Sequence, residues 1–104
     1  MTGPTFTAVT PLAELPQGTV KRVAIGGLSI LLIHTADGIF AVENRCSHAE
    51  QPLECGRVKN GWISCPTHGA RFDLETGEPL GGPAELPIAT FAVRVAEDMI
   101  EVAA

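Results

Sequence analysis

Two short pieces constrain this chain more than anything else in it: Cys46-Ser47-His48 and Cys65-Pro66-Thr67-His68, with 16 residues between His48 and Cys65. Each supplies one thiol and one imidazole. A chain that uses all four side chains together must bring the two loops side by side, and the intervening residues have ample reach for that. Asn60-Gly61, inside that interval, is a residue pair that favours a type I′ hairpin turn, which would fold one loop against the other.

The four side chains form a metal-ligand set of mixed character. Thiolates are soft donors suited to zinc or iron–sulfur iron, and neutral imidazoles suit zinc, copper and iron. Two readings follow: Cys2His2 zinc, or a 2Fe-2S cluster with both histidines on one iron. Zinc ribbons and fingers usually pair Cys with Cys in one knuckle, or set two His three to five residues apart on a helix. Here each half mixes Cys with His, and that order favours the cluster.

The pattern C-x-H, 16 residues, C-x-x-H closely resembles the Rieske family. The likeness extends to Pro66 and Gly69, to Phe72-Asp73 and Thr76-Gly77, and to the stretch from Gly56-Arg57-Val58 to Trp62-Ile63-Ser64, so that residues 44–83 carry most of it. The resemblance implies that Cys46 and Cys65 bind the inner iron of one 2Fe-2S cluster while His48 and His68 bind the outer one. It also implies that each His presents its second ring nitrogen to solvent as the electron exit, with protonation rising on reduction. Gly81-Gly82-Pro83 resembles the loop that covers the cluster in this family.

Ligand charge sets the chemistry of such a site. Two ferric ions, two sulfides and two thiolates sum to zero when both imidazoles are neutral, so an added electron meets less repulsion than with four thiolates. Replacing two Cys by two His raises the potential from roughly −400 mV to roughly −150 to +300 mV. High-potential members of the family place a Ser and a Tyr after the second loop as hydrogen-bond donors to the sulfurs. Ala70 and Phe72 stand there in this chain, and Gln51 and Thr67 stand where those members form a disulfide. A low potential within the Rieske range is therefore expected.

Composition sets the remaining bounds. At 104 residues the chain is expected to be a single domain, residues 1–104, with residues 45–83 as an inserted cluster-binding subdomain. A chain of this size buries about two thirds of its unfolded surface, and a bound cluster adds folding free energy to that modest core. The formal net charge of −5 argues against nucleic-acid binding and fits either transient docking to basic faces of redox partners or simple solubility. No signal peptide or membrane-length apolar run is evident, so a cytoplasmic protein without a membrane anchor is expected. Three cysteines, of which Cys55 is left over as a bystander thiol, fit a reducing compartment.

The remainder reads as strands and turns, an all-β, Rieske-like antiparallel β-sandwich. Strands are expected over 5–10, 20–25, 28–34 and 39–43, with Gly26-Gly27 and Asp37-Gly38 as the hairpin turns. Short strands follow over 56–59, 62–64 and 70–73, then a last hairpin of 90–95 and 99–102. Phe6 and Ala8 are expected to share one face of the first strand, and Phe91, Val93 and Val95 one face of the penultimate one. Trp62 is expected in the core of the small subdomain, and His34 as an ordinary strand residue. A single helical turn is expected within 12–15.

Within the Rieske family the chain resembles the ferredoxin components of bacterial aromatic-ring-hydroxylating dioxygenase systems. That implies a monomeric carrier in aromatic hydrocarbon catabolism, which takes single electrons from a flavin-containing, NAD(P)H-dependent ferredoxin reductase and passes them to a terminal oxygenase. The chain has no nucleotide-binding glycine motif and no second iron site of two His and a carboxylate, so it is expected to have no turnover of its own. Two alternatives are a small Rieske-like subunit of an assimilatory nitrite reductase and a structural zinc module serving protein contacts.

Overall fold

The apolar run Ile30-Leu31-Leu32-Ile33 lies in a strand that is buried on both faces, and the fold is arranged around it. Alternate side chains of a strand point to opposite sides, so Ile30 and Leu32 enter one core and Leu31 and Ile33 enter a second. Full burial of each such side chain contributes about 1.5–3 kcal/mol. The computed structural model describes residues 5–45, 53, 56–59, 61–66, 69–81 and 86–103. Among them there are ten strands, one 3-10 turn and no α-helix.

In chain order these are β1 (Phe6–Pro11), the 3-10 turn (Leu12–Glu14), β2 (Val20–Ile25), β3 (Leu28–Thr35) and β4 (Gly38–Glu43). They continue with β5 (Arg57–Lys59), β6 (Trp62–Ser64), β7 (Arg71–Asp73), β8 (Pro79–Gly81), β9 (Thr90–Ala96) and β10 (Met99–Ala103). All pairings are antiparallel. Six strands form one sheet in the order β1-β10-β9-β4-β3-β2, and four form another in the order β5-β6-β7-β8.

The large sheet consists of two three-stranded halves joined through a short β4–β9 pairing, Ala41 opposite Phe91 and Val42 opposite Thr90. The halves fold over each other like the layers of a sandwich. Ile100 and Val102 of β10 meet Ile30 and Leu32 of β3 in the core between them, with Leu15 of the preceding loop. The outer edges also meet, where Lys21 Nζ on β2 donates to Thr10 Oγ1 on β1 at 3.0 Å. The small sheet is inserted between β4 and β9 in sequence, and its Ile63 and Phe72, with Leu74 just after β7, close the second core against Leu31, Ile33 and Val42.

Three local features differ from the sequence expectation. In β1 Phe6 and Ala8 share one face as expected, opposite Ala103 and Glu101, but the register slips between Ala8 and Thr10, where Val9 packs against the core and Thr10 is also buried. An extra residue opposite one partner reverses the alternation beyond it. Phe91, Val93 and Val95 share one face as expected, with Val95 itself exposed beside the hairpin turn. Trp62 lies half-buried on the outer face of the small sheet, and its neighbour Ile63 occupies the core. β8, absent from the expected strands, pairs with β7 beyond a shift at Arg71/Phe72.

Candidate metal centre

The second ligand loop grows out of the β6–β7 hairpin. Ser64 and Arg71 form the last pair of the ladder, and main-chain bonds continue past it. The Cys65 N–H donates to the Ala70 carbonyl at 2.7 Å and the Gly69 N–H to the Cys65 carbonyl at 3.0 Å, so the loop from 65 to 70 is closed by its own backbone. Cys65 is only 2% exposed and belongs to the core that holds Leu31, Leu53, Ile63, Ala70 and Phe72. A thiolate in such surroundings is costly unless a cation neutralises it. The position therefore suits a metal-bound sulfur.

The base of the first loop is closed by a side chain. Asn44 follows β4, is buried, and accepts the Leu53 N–H on its Oδ1 at 2.8 Å. Its Nδ2 donates to Ser29 Oγ at 3.2 Å, and its own N–H donates to the Ser29 carbonyl at 3.0 Å. One amide thus ties the start and the end of the loop to β3. A buried amide with these partners is satisfied on both of its ends. Sequence reasoning passed over Asn44; its signal was a polar residue at the end of an apolar strand, two residues before Cys46.

Gly56 joins the two loops. Its N–H donates to the Leu53 carbonyl at 2.8 Å, and a Cβ on this residue would overlap the carbonyl oxygen of Ser64, the residue preceding Cys65. Only glycine allows the outgoing end of the first loop to lie this close to the strand that delivers the second. The described ends of both loops therefore converge at Cys65. Cys46, His48 and His68 lie outside the described residues, as do Gln51, Cys55, Asn60, Thr67, Gly82 and Pro83. Among the described residues no cluster of three or more His, Cys, Asp or Glu could by itself hold a metal.

The motif residues after the second loop build its support. Asp73 Oδ1 accepts the Glu75 and Thr76 N–H groups at 2.8 and 2.9 Å, and Thr76 Oγ1 accepts the Glu78 N–H at 3.2 Å. Aspartate and threonine stabilise turns in this way. Gly77 sits at φ 78° against the carbonyl of Ile88 and accepts the Ile88 N–H on its own oxygen at 2.9 Å. The turn thereby anchors the chain just before β9. Ala70 and Phe72, where the resemblance places the sulfur-directed hydroxyls, are fully buried beside Cys65 and are apolar.

His34 is an ordinary strand residue, as expected. It lies in β3, and its Nδ1 is 2.7 Å from the Leu15 carbonyl, a contact that requires the proton on Nδ1.

The chain matches the Rieske [2Fe-2S] domain family over residues 5–92. Ferredoxin CarAc of Metapseudomonas resinovorans is 32% identical over 92 residues, covering 88% of this chain and 86% of the relative. The ferredoxin of carbazole 1,9a-dioxygenase from Nocardioides aromaticivorans IC177 superposes with a TM-score of 0.89 at 34% identity, covering 95% of this chain and 97% of that one. A chain from a complex of reduced oxygenase and oxidised ferredoxin in carbazole 1,9a-dioxygenase gives 0.87 at 29% identity, covering 97% of this chain and 94% of that one.

Proposed function

Since the chain belongs to the Rieske [2Fe-2S] domain family, we propose that it is the ferredoxin component of an aromatic-ring-hydroxylating dioxygenase system. It carries single electrons from a flavin-containing, NAD(P)H-dependent reductase to a terminal oxygenase and has no turnover of its own. The observation that carries this reading is the buried Cys65 in a self-closed loop, with the end of the first ligand loop packed against it. Relatives at 32% and 34% identity are both ferredoxins, which makes the nitrite-reductase subunit the weaker reading.

Cys46, His48, Cys65 and His68 are the proposed ligands of one 2Fe-2S cluster, which when bound supplies reversible one-electron storage. Cys46 and Cys65 hold the inner iron, and His48 and His68 the outer one. Around Cys65 the chain's own residues exclude water: Leu53, Ile63, Ala70 and Phe72 are all buried there. Ala70 and Phe72 offer the sulfurs no hydroxyl, which keeps the potential at the low end of the Rieske range. Residues 45–83 act as the cluster-binding subdomain of a single domain, with Gly81-Gly82-Pro83 as its cover. The protein works as a monomer in the cytoplasm; among its described residues no helix is long and apolar enough to cross a membrane.

The test is relay. With a reductase and oxygenase purified from the same gene neighbourhood, NAD(P)H-driven hydroxylation should require this chain in catalytic amounts. Full hydroxylation in its absence contradicts the reading.

A further inference from the structure

The register of the small sheet dictates what its outer face presents. Val58, Ile63 and Phe72 pack inward, so the alternate residues face out. Arg57, Ser64 and Arg71 form one row across β5, β6 and β7, and Lys59, Trp62 and Asp73 form the next. Three of the chain's seven Lys and Arg therefore share one face of a protein with a net charge of −5.

These cations are available. Arg57, Lys59 and Arg71 are exposed, and among the described residues none of them forms an ion pair. The Arg71 guanidinium lies over the Trp62 ring, 5.5 Å from its centroid, a cation–π contact that keeps it beside the ring. Asp73 ends the second row and keeps its negative charge, with Oδ1 turned to the Glu75 and Thr76 N–H groups, so the three cations outnumber the one carboxylate on this face. The sheet is also polar along its length. Asp37, Asp73 and Glu75 line a cleft at the Gly61 end, whereas the Arg57–Ser64–Arg71 row adjoins Cys65 and Ala70.

We propose that this face is a cationic docking stripe for a protein redox partner whose contact surface carries clustered carboxylates beside its redox site. The proposal rests on the electron-carrier reading. The stripe has the opposite sign to the chain as a whole, so long-range repulsion from other faces and local attraction here together orient an acidic partner beside the ligand loops. A nucleic acid fits less well. Net negative charge opposes it, three cations neutralise few phosphates, and the exposed face of Trp62 is already covered by Arg71.

The single tryptophan makes the test direct, since the protein has one indole N–H resonance and it lies in the stripe. Isotope-labelled, iron-loaded oxidised protein is titrated at low salt with a hexaglutamate peptide and, separately, with a short DNA duplex. The peptide should displace the Trp62 indole and Arg71 Nε–H resonances saturably. Affinity should fall about fivefold or more in R57Q/K59Q/R71Q but change less than about twofold in K21Q/R22Q/R94Q, which has the same net charge. The R57Q/K59Q variant, which keeps the Arg71–Trp62 stack, should show an intermediate loss even if the triple variant does not fold. In stopped-flow oxidation by hexacyanoferrate(III), one electron passes from reduced protein to the iron complex, and the same rank order of rates is expected. Equal effects of the two triple variants, an unmoved Trp62, or tighter binding of DNA than of peptide would overturn the stripe. Any of these in a protein with reducible iron leaves the carrier reading standing, whereas protein without reducible iron overturns both.

Discussion

Between Asn44 and Leu53 the chain is closed by a side-chain carbonyl, and between Cys65 and Ala70 by two main-chain bonds. The second loop is a short extension of a hairpin, where the antiparallel ladder supplies the closure whatever the side chains are. The first spans more residues and leaves one strand without returning to its neighbour, so a side chain must replace the missing ladder. Robustness differs accordingly. The first loop depends on one amide and one glycine, and the second on the integrity of the β6–β7 pair.

That contrast can be broken most forcefully at Gly56. Gly56→Ala places a methyl on the Ser64 carbonyl and should cost about 3 kcal/mol, read as a lower urea midpoint together with reduced iron content. Next comes Asn44→Ala, which leaves the buried Leu53 N–H without its acceptor. It should cost about 2 kcal/mol and speed iron loss to a chelator. Asn44→Asp sharpens the point, since it keeps the acceptor for Leu53 and loses the donor to Ser29. Its iron loss should fall between wild type and Asn44→Ala.

The second loop is better probed by chemistry than by closure. Ala70→Ser with Phe72→Tyr should raise the potential by roughly 100–250 mV, the equivalent of two charge-assisted hydrogen bonds at about 59 mV per 1.4 kcal/mol. An unchanged potential in a redox titration would assign the tuning to backbone donors and burial. The smallest effect belongs far from both loops. Glu14→Gln removes the exposed carboxylate paired with Lys21, leaves Lys21 bonded to Thr10, and should shift stability by less than about 0.5 kcal/mol by denaturant titration.

Much of the scaffold was legible because strands with one wet face advertise their period. The Gly26-Gly27 and Asp37-Gly38 turns placed β2, β3 and β4 within a residue or two, and the ligand spacing located the β5–β6–β7 region. β8 was not legible: Pro79-Leu80-Gly81 is three residues long and bounded by two residues that strands disfavour. The extra residue in β1 escaped because a slip in register leaves no mark on composition. Trp62 was misplaced because size suggested burial, whereas its position between Gly61 and Ile63 sets which face it takes. At the candidate site Cys65 was legible from spacing, but the closure by Asn44 joins residues nine apart through a side chain, and no local period encodes that.

The central claim is that two Cys and two His of this chain hold one 2Fe-2S cluster of mixed ligation. Its most direct test is an EPR spectrum of the dithionite-reduced protein together with iron and acid-labile sulfide assays. Two irons and two sulfides per chain are expected, with a rhombic signal at the low average g of His/Cys ligation. A colourless protein with one zinc and no iron, or a signal typical of four-thiolate ligation, would contradict it.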